Sequence, residues 1–350
     1  MKGRGLSIIA SIKGQRFSLC AISEERGVLI GIATVAVMLF HSYSLHFEEI
    51  FSSAFLCDLF NYIQDLGNIG VDIFLFISAF GLYYSFSKNP DVKSFYIKRV
   101  LRIVPSAVII AAVYYLYVGT SGIVDFFKKV MLLSFYESNN RDFWFLSFIL
   151  IMYIAFPLLY NIVEKYKGLG VAVAVGSTVL VNMLLMICMP ELYGRLEIAL
   201  TRIPIFLVGI YFGRMARRDE KISVWWLFGA FIAFIASNLM LYNCQFANYC
   251  IVRYLYGLWT VSFVIVVCFV NNTAKKRYGI NGAFAKFFSW IGMYSLEIYL
   301  IYEKLALILR KTDVVNVGSS AVYYVVILGL TLLIATMLKE MNKRMRKLRA

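Results

Sequence analysis

His41 lies in the run Met38-Leu39-Phe40-His41-Ser42-Tyr43-Ser44 and is one of only two histidines in a chain of 350 residues. A neutral imidazole can take a proton from a hydroxyl and later release it, which is what acyl transfer to an alcohol requires. The position equally suits a helix-end histidine at the level of the lipid headgroups, so residue type alone leaves both readings open. His46, followed by Glu48 and Glu49, reads as a solvated loop residue. Asp72, in the stretch Gly70 to Gly81, offers a carboxylate that would orient an imidazole and stabilise its protonated form, or would cap a helix start. Arg99 and Arg102 stand three residues apart in Lys98-Arg99-Val100-Leu101-Arg102 and share a helix face. Together with Lys98 they suit phosphate oxygens gripped through paired N–H donors, or the anchoring of a cytoplasmic loop. Arg202, Glu297, Glu303 and Lys304 are the other ionisable groups in apolar surroundings, with Arg253 at a rim. Such groups cost a few kcal/mol in a bilayer unless paired or hydrated, which makes each a candidate for function.

The elements that carry these residues are long and apolar. The chain is 61% hydrophobic with a mean hydropathy of +0.75. Its apolar segments predict about ten spans near 28–45, 70–87, 102–118, 143–162, 170–189, 198–213, 223–243, 251–270, 289–309 and 320–338. A helix of about 20 residues crosses a hydrocarbon core of about 30 Å and satisfies its own backbone, so the expected fold is all-α, a polytopic transmembrane helical bundle. With the N-terminus cytoplasmic, the inner segments hold 26 Lys and Arg and the outer ones 7. This asymmetry places both termini inside. The net charge of +15 is therefore an orientation signal, scattered over loop ends, and nucleic acid is not an expected partner.

Residues 1–26 read as a cytoplasmic arm, because the basic start followed by Leu6 to Ile12 is too short for a signal peptide. Residues 27–338 form the integral domain and 339–350 a basic cytoplasmic tail. The six cysteines follow no metal-ligand spacing, and no metal is expected. Cys244 and Cys250 are free or, in an oxidising compartment, paired. There is no repeat of fixed period and no nucleotide-binding glycine loop.

The order of the polar blocks says more than any one of them. Gly31 through His41, Gly70 through Gly81 and Lys98 through Pro105 are followed by Trp144-Phe145-Leu146-Ser147 through Tyr153 and Pro157. Arg202-Ile203-Pro204-Ile205-Phe206-Leu207-Val208-Gly209 and Ile291-Gly292-Met293-Tyr294-Ser295-Leu296-Glu297-Ile298-Tyr299-Leu300-Ile301-Tyr302 complete the series. From about residue 28 to 338 the chain resembles the acyltransferase-3 family of integral membrane acyltransferases, in the branch that acts in polysaccharide and surface-glycan assembly.

The resemblance implies an O-acyltransferase of the cytoplasmic membrane that moves an acyl group, acetyl in the first instance, from cytoplasmic acyl-CoA to a hydroxyl of a glycan or lipid-linked sugar. It implies His41 as the essential histidine; the residues themselves make Asp72 the carboxylate expected to assist it. The resemblance also implies that Arg99 and Arg102 meet the donor; the expected site adds Lys98 beside them and Arg202, Trp144, Tyr302 and Glu297 on the substrate side. The chain departs from the family at Ile30, where many relatives carry arginine and Arg26 is the substitute one turn earlier. It departs again at Ile149 and Leu150, where acidic residues are common, and at Tyr302, the usual place of a histidine. Oligomeric state is open. A glycan transporter or a non-catalytic partner in polysaccharide synthesis is the competing class, although the prolines show no symmetric pair of broken helices.

Overall fold

The computed structural model describes residues 16–43, 45–138, 140–243, 249–278, 282–311 and 320–347. In chain order the elements are β1 (Arg16–Ser18), α1 (Cys20–Glu24), α2 (Arg26–Phe40), a 3-10 turn (Phe47–Glu49), α3 (Ala54–Leu66), α4 (Ile69–Phe86) and α5 (Val92–Val118). They continue with α6 (Ile123–Val130), α7 (Ser134–Ser138), α8 (Trp144–Cys188), α9 (Pro190–Leu200), α10 (Ile203–Arg217) and β2 (Lys221–Ser223). The last are α11 (Val224–Asn243), α12 (Tyr249–Tyr278), α13 (Ala283–Gly292), α14 (Ser295–Lys311) and α15 (Ser320–Lys347). The protein is an all-α helical bundle with, among the described residues, one ribbon in which β1 pairs antiparallel with β2, Phe17 opposite Ile222.

Six helical stretches among the described residues are long and apolar enough to cross a membrane: Ala54–Phe86, Val92–Val118, Trp144–Cys188, Pro190–Arg217, Val252–Lys275 and Ser320–Arg344. The expected spans at 143–162 and 170–189 both fall on α8, whose 45 residues are broken at Lys167 with φ 53° and ψ −136°. That positive φ interrupts the helix within the expected loop at 164–169 and leaves two halves, each of about 30 Å or more at about 1.5 Å per residue. The expected first span ends earlier than predicted, since α2 stops at Phe40 after 15 residues. The span expected at 289–309 is divided between α13 and α14, where Met293 and Tyr294 form a turn. Cys20, Cys57, Cys188 and Cys268 are free thiols, and the side chains of Cys244 and Cys250 lie outside the described residues.

The chain divides into two compact units. The first comprises the described part of Met1–Leu29, then Asp72–Pro90 and Ala155–Phe287. Here α10 lies directly on α4. A Cβ on Gly209 would stand 2.5 Å from the Phe76 carbonyl oxygen and one on Gly213 2.8 Å from that of Phe80. Two small residues four apart let the backbones approach, the usual solution for helix contact in lipid. The ribbon and α1 close one end of this unit, with Phe17 edge-on to Phe269 and the buried Glu25 bound by Asn271 and Lys275 of α12. Arg26 packs its guanidinium against Gly81, whose Cβ would lie 3.0 Å from Arg26 Cζ.

The second unit comprises Ile30–Val71, Asp91–Ile154 and the described part of Phe288–Ala350. In it α14 packs on both α15 and α5, and Asn342 donates to the Ser106 hydroxyl at 2.6 Å in a buried contact. The helix leading to His41 is fixed by close backbone approach. A Cβ on Gly70 would stand 2.6 Å from the Ala33 carbonyl oxygen, and one on Gly31 would collide with the Phe288 carbonyl. Gly31→Ala is therefore expected to destabilise the fold by about 1–3 kcal/mol, as overpacking does, because backbone cannot swing aside. A melting curve of the detergent-solubilised protein checks this, with Gly176→Ala, where a Cβ meets nothing within 4 Å, as the control that should not lose stability.

Candidate active site

His41 is the first residue beyond α2, and its backbone N–H still donates to the Val37 carbonyl at 3.1 Å. The following turn is held from two sides. Ser42 is buried, donates to the Met38 carbonyl at 2.8 Å and lies 2.7 Å from the Tyr302 hydroxyl, while Gln64 donates to the Ser42 carbonyl at 2.7 Å. Phe40 and Tyr43 stand edge-on to the imidazole with ring centroids at 5.4 and 5.7 Å. A histidine placed by a helix end, two serine hydrogen bonds and two aromatic edges has little rotational freedom.

One ring nitrogen is engaged. Nδ1 is 3.0 Å from the Tyr43 hydroxyl and 3.8 Å from Glu303 Oε1. Among the described residues no hydrogen bond or ion pair engages Nε2, and the side chain is 21% exposed, so a substrate can reach it. A carboxylate facing Nδ1 favours the tautomer with its proton there, leaves the Nε2 lone pair outward and stabilises the imidazolium formed when Nε2 takes a proton.

Glu303 is itself fixed. Its Oε2 is 3.1 Å from Lys304 Nζ, which also lies 3.3 Å from Asp142 Oδ1. Lys304 is 4% exposed, and its ammonium stands 5.4 and 5.1 Å from the ring centroids of Tyr114 and Phe143. Asp142 accepts from Tyr115 at 2.9 Å and Tyr114 at 3.5 Å, and Asn140 donates to the Tyr115 hydroxyl at 2.9 Å. A buried lysine needs such partners, because an unpaired ammonium at this depth is strongly unfavourable. The result is a continuous polar chain from the imidazole through Glu303, Lys304 and Asp142 to Tyr115.

The carboxylate beside His41 is thus Glu303, where the sequence pointed to Asp72. Asp72 is instead paired with a cation inside the first unit. It is 3% exposed, and its Oδ1 lies 3.1 Å from Arg202 Nε. Arg202, 2% exposed, also donates from Nη1 to the Ile198 carbonyl at 2.8 Å. Next to this pair Glu197 accepts from Arg253 Nε at 2.6 Å and Nη2 at 3.2 Å. Asp72 and Arg202 therefore belong to a four-charge cluster in the first unit, with zero net charge.

The other sequence candidates fall in the second unit. Arg99 holds its guanidinium 5.5 Å from the Phe95 ring centroid and 5.9 Å from that of Tyr153. Its buried Nε has no hydrogen-bond partner, and among the described residues no carboxylate pairs with Arg99, Arg102 or Lys98. Arg102 and Lys98 are exposed. Tyr302 is buried and committed to Ser42, so it supports the histidine turn. Trp144 opens α8 beside Phe145, whose ring is edge-on to Tyr299, and Glu297 is buried in the first turn of α14. Asp142 and Tyr43 were missed from the sequence. The available signal was Lys304, a lysine within an apolar helix that had to find a carboxylate. Among the described residues no group of three His, Cys, Asp or Glu could hold a metal ion.

No curated protein and no solved structure matches the chain. The model of one family does, that of the acyltransferase domain known as acyltransferase-3, and it covers residues 28–340, from the start of the helix that carries His41 to the last turns of α15. That range takes in the whole polar chain from His41 to Asp142 and the paired charges around Asp72, so this integral membrane protein belongs to the acyltransferase-3 family and is an acyltransferase.

Proposed function

We propose that the protein transfers an acyl group, acetyl in the simplest case, from cytoplasmic acyl-CoA to a hydroxyl of a surface or exported glycan, free or lipid-linked, across the cytoplasmic membrane. The observation that carries the reading is the posture of His41, tethered through Nδ1 and with Nε2 engaged by none of the described residues. Nε2 accepts the acceptor's hydroxyl proton as the oxygen attacks the thioester carbonyl. The C–O bond forms, the C–S bond breaks, and the imidazolium returns the proton to the departing thiolate, giving the ester and free CoA. Glu303 steadies the imidazolium during this passage, and the Tyr43 hydroxyl keeps the ring oriented.

Arg99, Arg102 and Lys98 support the donor side of the proposal. Three cations at positions 98, 99 and 102 of α5, none paired with a carboxylate among the described residues, suit a polyanion such as the phosphates of CoA. Guanidinium grips phosphate bidentately and ammonium does not. Arg99→Lys and Arg102→Lys are therefore each expected to raise the apparent KM for acetyl-CoA several-fold while leaving that for the acceptor near its starting value. Calorimetric titration with CoA is the check, and unchanged affinity in both variants would make these residues loop anchors only. Mass spectrometry of surface glycans from cells with and without the gene tests the whole reading. A fixed mass difference names the acyl group, and identical glycans would reject a glycan acceptor.

A further inference from the structure

Lys304 and Asp142 take no part in the proposed transfer, yet they stand directly behind the carboxylate that faces His41, and all four residues belong to the second unit. Consecutive residues of a helix project roughly 100° apart and do not ordinarily meet. Glu303 Oε2 and Lys304 Nζ are nevertheless 3.1 Å apart, so a group outside α14 draws the two side chains together. Asp142 is that group. Its Oδ1 lies 3.3 Å from the ammonium, and its Oδ2 is held at 2.9 Å by the Tyr115 hydroxyl. The Tyr114 and Phe143 rings close over the same ammonium and fix it further.

The charges of this polar chain do not cancel at rest. Two carboxylates and one ammonium leave one negative charge beside a neutral imidazole, and none once the imidazole holds a second proton. The two carboxylates and two arginines around Asp72 are balanced without any such proton. The groups that surround the chain leave this count unchanged. Tyr43, Tyr114, Tyr115, Tyr302 and, on α15, Tyr324 are phenols, uncharged near neutral pH, and Gln64 of α3 is an amide. Lys129 of α6 stands 5.5 Å from the Tyr115 ring centroid but is paired with Asp125 at 2.8 Å. Glu48, Glu49, Arg141 and Arg310 are exposed, where water screens them, and Glu297 lies nearly two turns back along α14.

We propose that Lys304 and Asp142 are positioning residues: Lys304 pins Glu303 against the imidazole and cancels one carboxylate, while Asp142 supplies the surplus negative charge that only the protonated imidazole completes. The inference rests on His41 as the base of the proposed transfer. Because the chain has only two histidines, ring-13C histidine labelling of the full-length protein in detergent micelles gives two resonances, which His46→Ala assigns. Asp142→Asn removes a negative charge, disfavours the imidazolium and should lower the His41 titration midpoint by about half a pH unit or more. Lys304→Met removes a positive charge and should raise it by a similar amount. The double variant carries the parent's charge and should titrate close to the parent, which a merely structural role would not restore. Glu303 and Asp142 are 32% and 28% exposed, so water reaches both carboxylates once the ammonium is gone. Lys304→Gln makes the same change of charge while keeping a donor, and replaces the Met variant if that one does not fold. Any other pattern overturns the assignment, whether both single variants move the same way, either stays at the parent's midpoint, or the double variant remains displaced. Failure of the base reading is seen separately, as full acyl transfer by His41→Ala, and has no bearing on the titration.

Discussion

His41→Ala is expected to reduce acyl transfer by about a hundred- to ten-thousand-fold, the range that a positioned general base supplies. The protein should still insert and melt normally, because among the described residues the imidazole's polar contacts are a single tyrosine hydroxyl and one carboxylate. His46→Ala should be nearly silent, since the link from His46 to Ser320 is made by its backbone N–H and survives the change. Glu303→Gln should fall between the two. It keeps the shape of the side chain but removes the charge that faces the imidazolium at 3.8 Å, so kcat drops while the acceptor KM stays close to that of the parent. Release of labelled acetyl from its thioester, with and without added imidazole, measures all three, and partial rescue of His41→Ala by imidazole is the expected signature of a missing base. A His41→Ala protein as active as the parent would sink the assignment.

How far the sequence led is clearest at the two acidic residues. Period and composition placed α2, α4, α5, α8 and α10 close to where they lie, because a helix that meets lipid must be apolar over its length and the interruptions are visible as charges. Asp72 and His41 were both visible as costly residues in apolar runs. Their pairing was a different matter. Neighbours in sequence invite each other as partners, yet each ionisable group was satisfied by a residue far along the chain, His41 by Glu303 and Asp72 by Arg202. Periodicity does not carry such long-range choices, which follow from which helices pack together. Lys304 shows what the sequence does hold: its position demanded a counter-charge, although not that Asp142, 162 residues away, would provide one.

The break in α8 was legible for a different reason. Lys165 and Lys167 interrupt an apolar run and so read as a loop between two spans, and the structure turns that interruption into a single residue of positive φ. The short polar segment was correctly located, but a one-residue break within continuous helix has no composition of its own. The same limit explains α2, whose apolar character continues past Phe40 although the helix does not. The turn at His41 to Tyr43 is set by tertiary hydrogen bonds to Gln64 and Tyr302, which lie in other elements.

The Asp72–Arg202 pair yields the largest expected effect on stability. Both side chains are almost fully buried, at 4% and 2% exposure, so removal of either partner leaves a buried charge without the counter-ion that pairs with it directly and a net charge on the cluster. Arg202→Met is expected to cost about 3–5 kcal/mol, and Asp72→Leu a similar amount, both read as a fall in melting temperature of the solubilised protein. The double variant should recover most of that loss, since replacing a buried pair by apolar groups of similar volume is close to neutral or stabilising. Non-additivity of this sign identifies an ion pair, whereas two independent packing defects would add. The double variant also separates the two possible duties of Asp72. With Glu303 facing the imidazole, acyl transfer should persist once the fold is restored, even though no carboxylate remains at position 72. A stable double variant without transfer activity would instead return Asp72 to the chemistry and leave Glu303 as a bystander to His41.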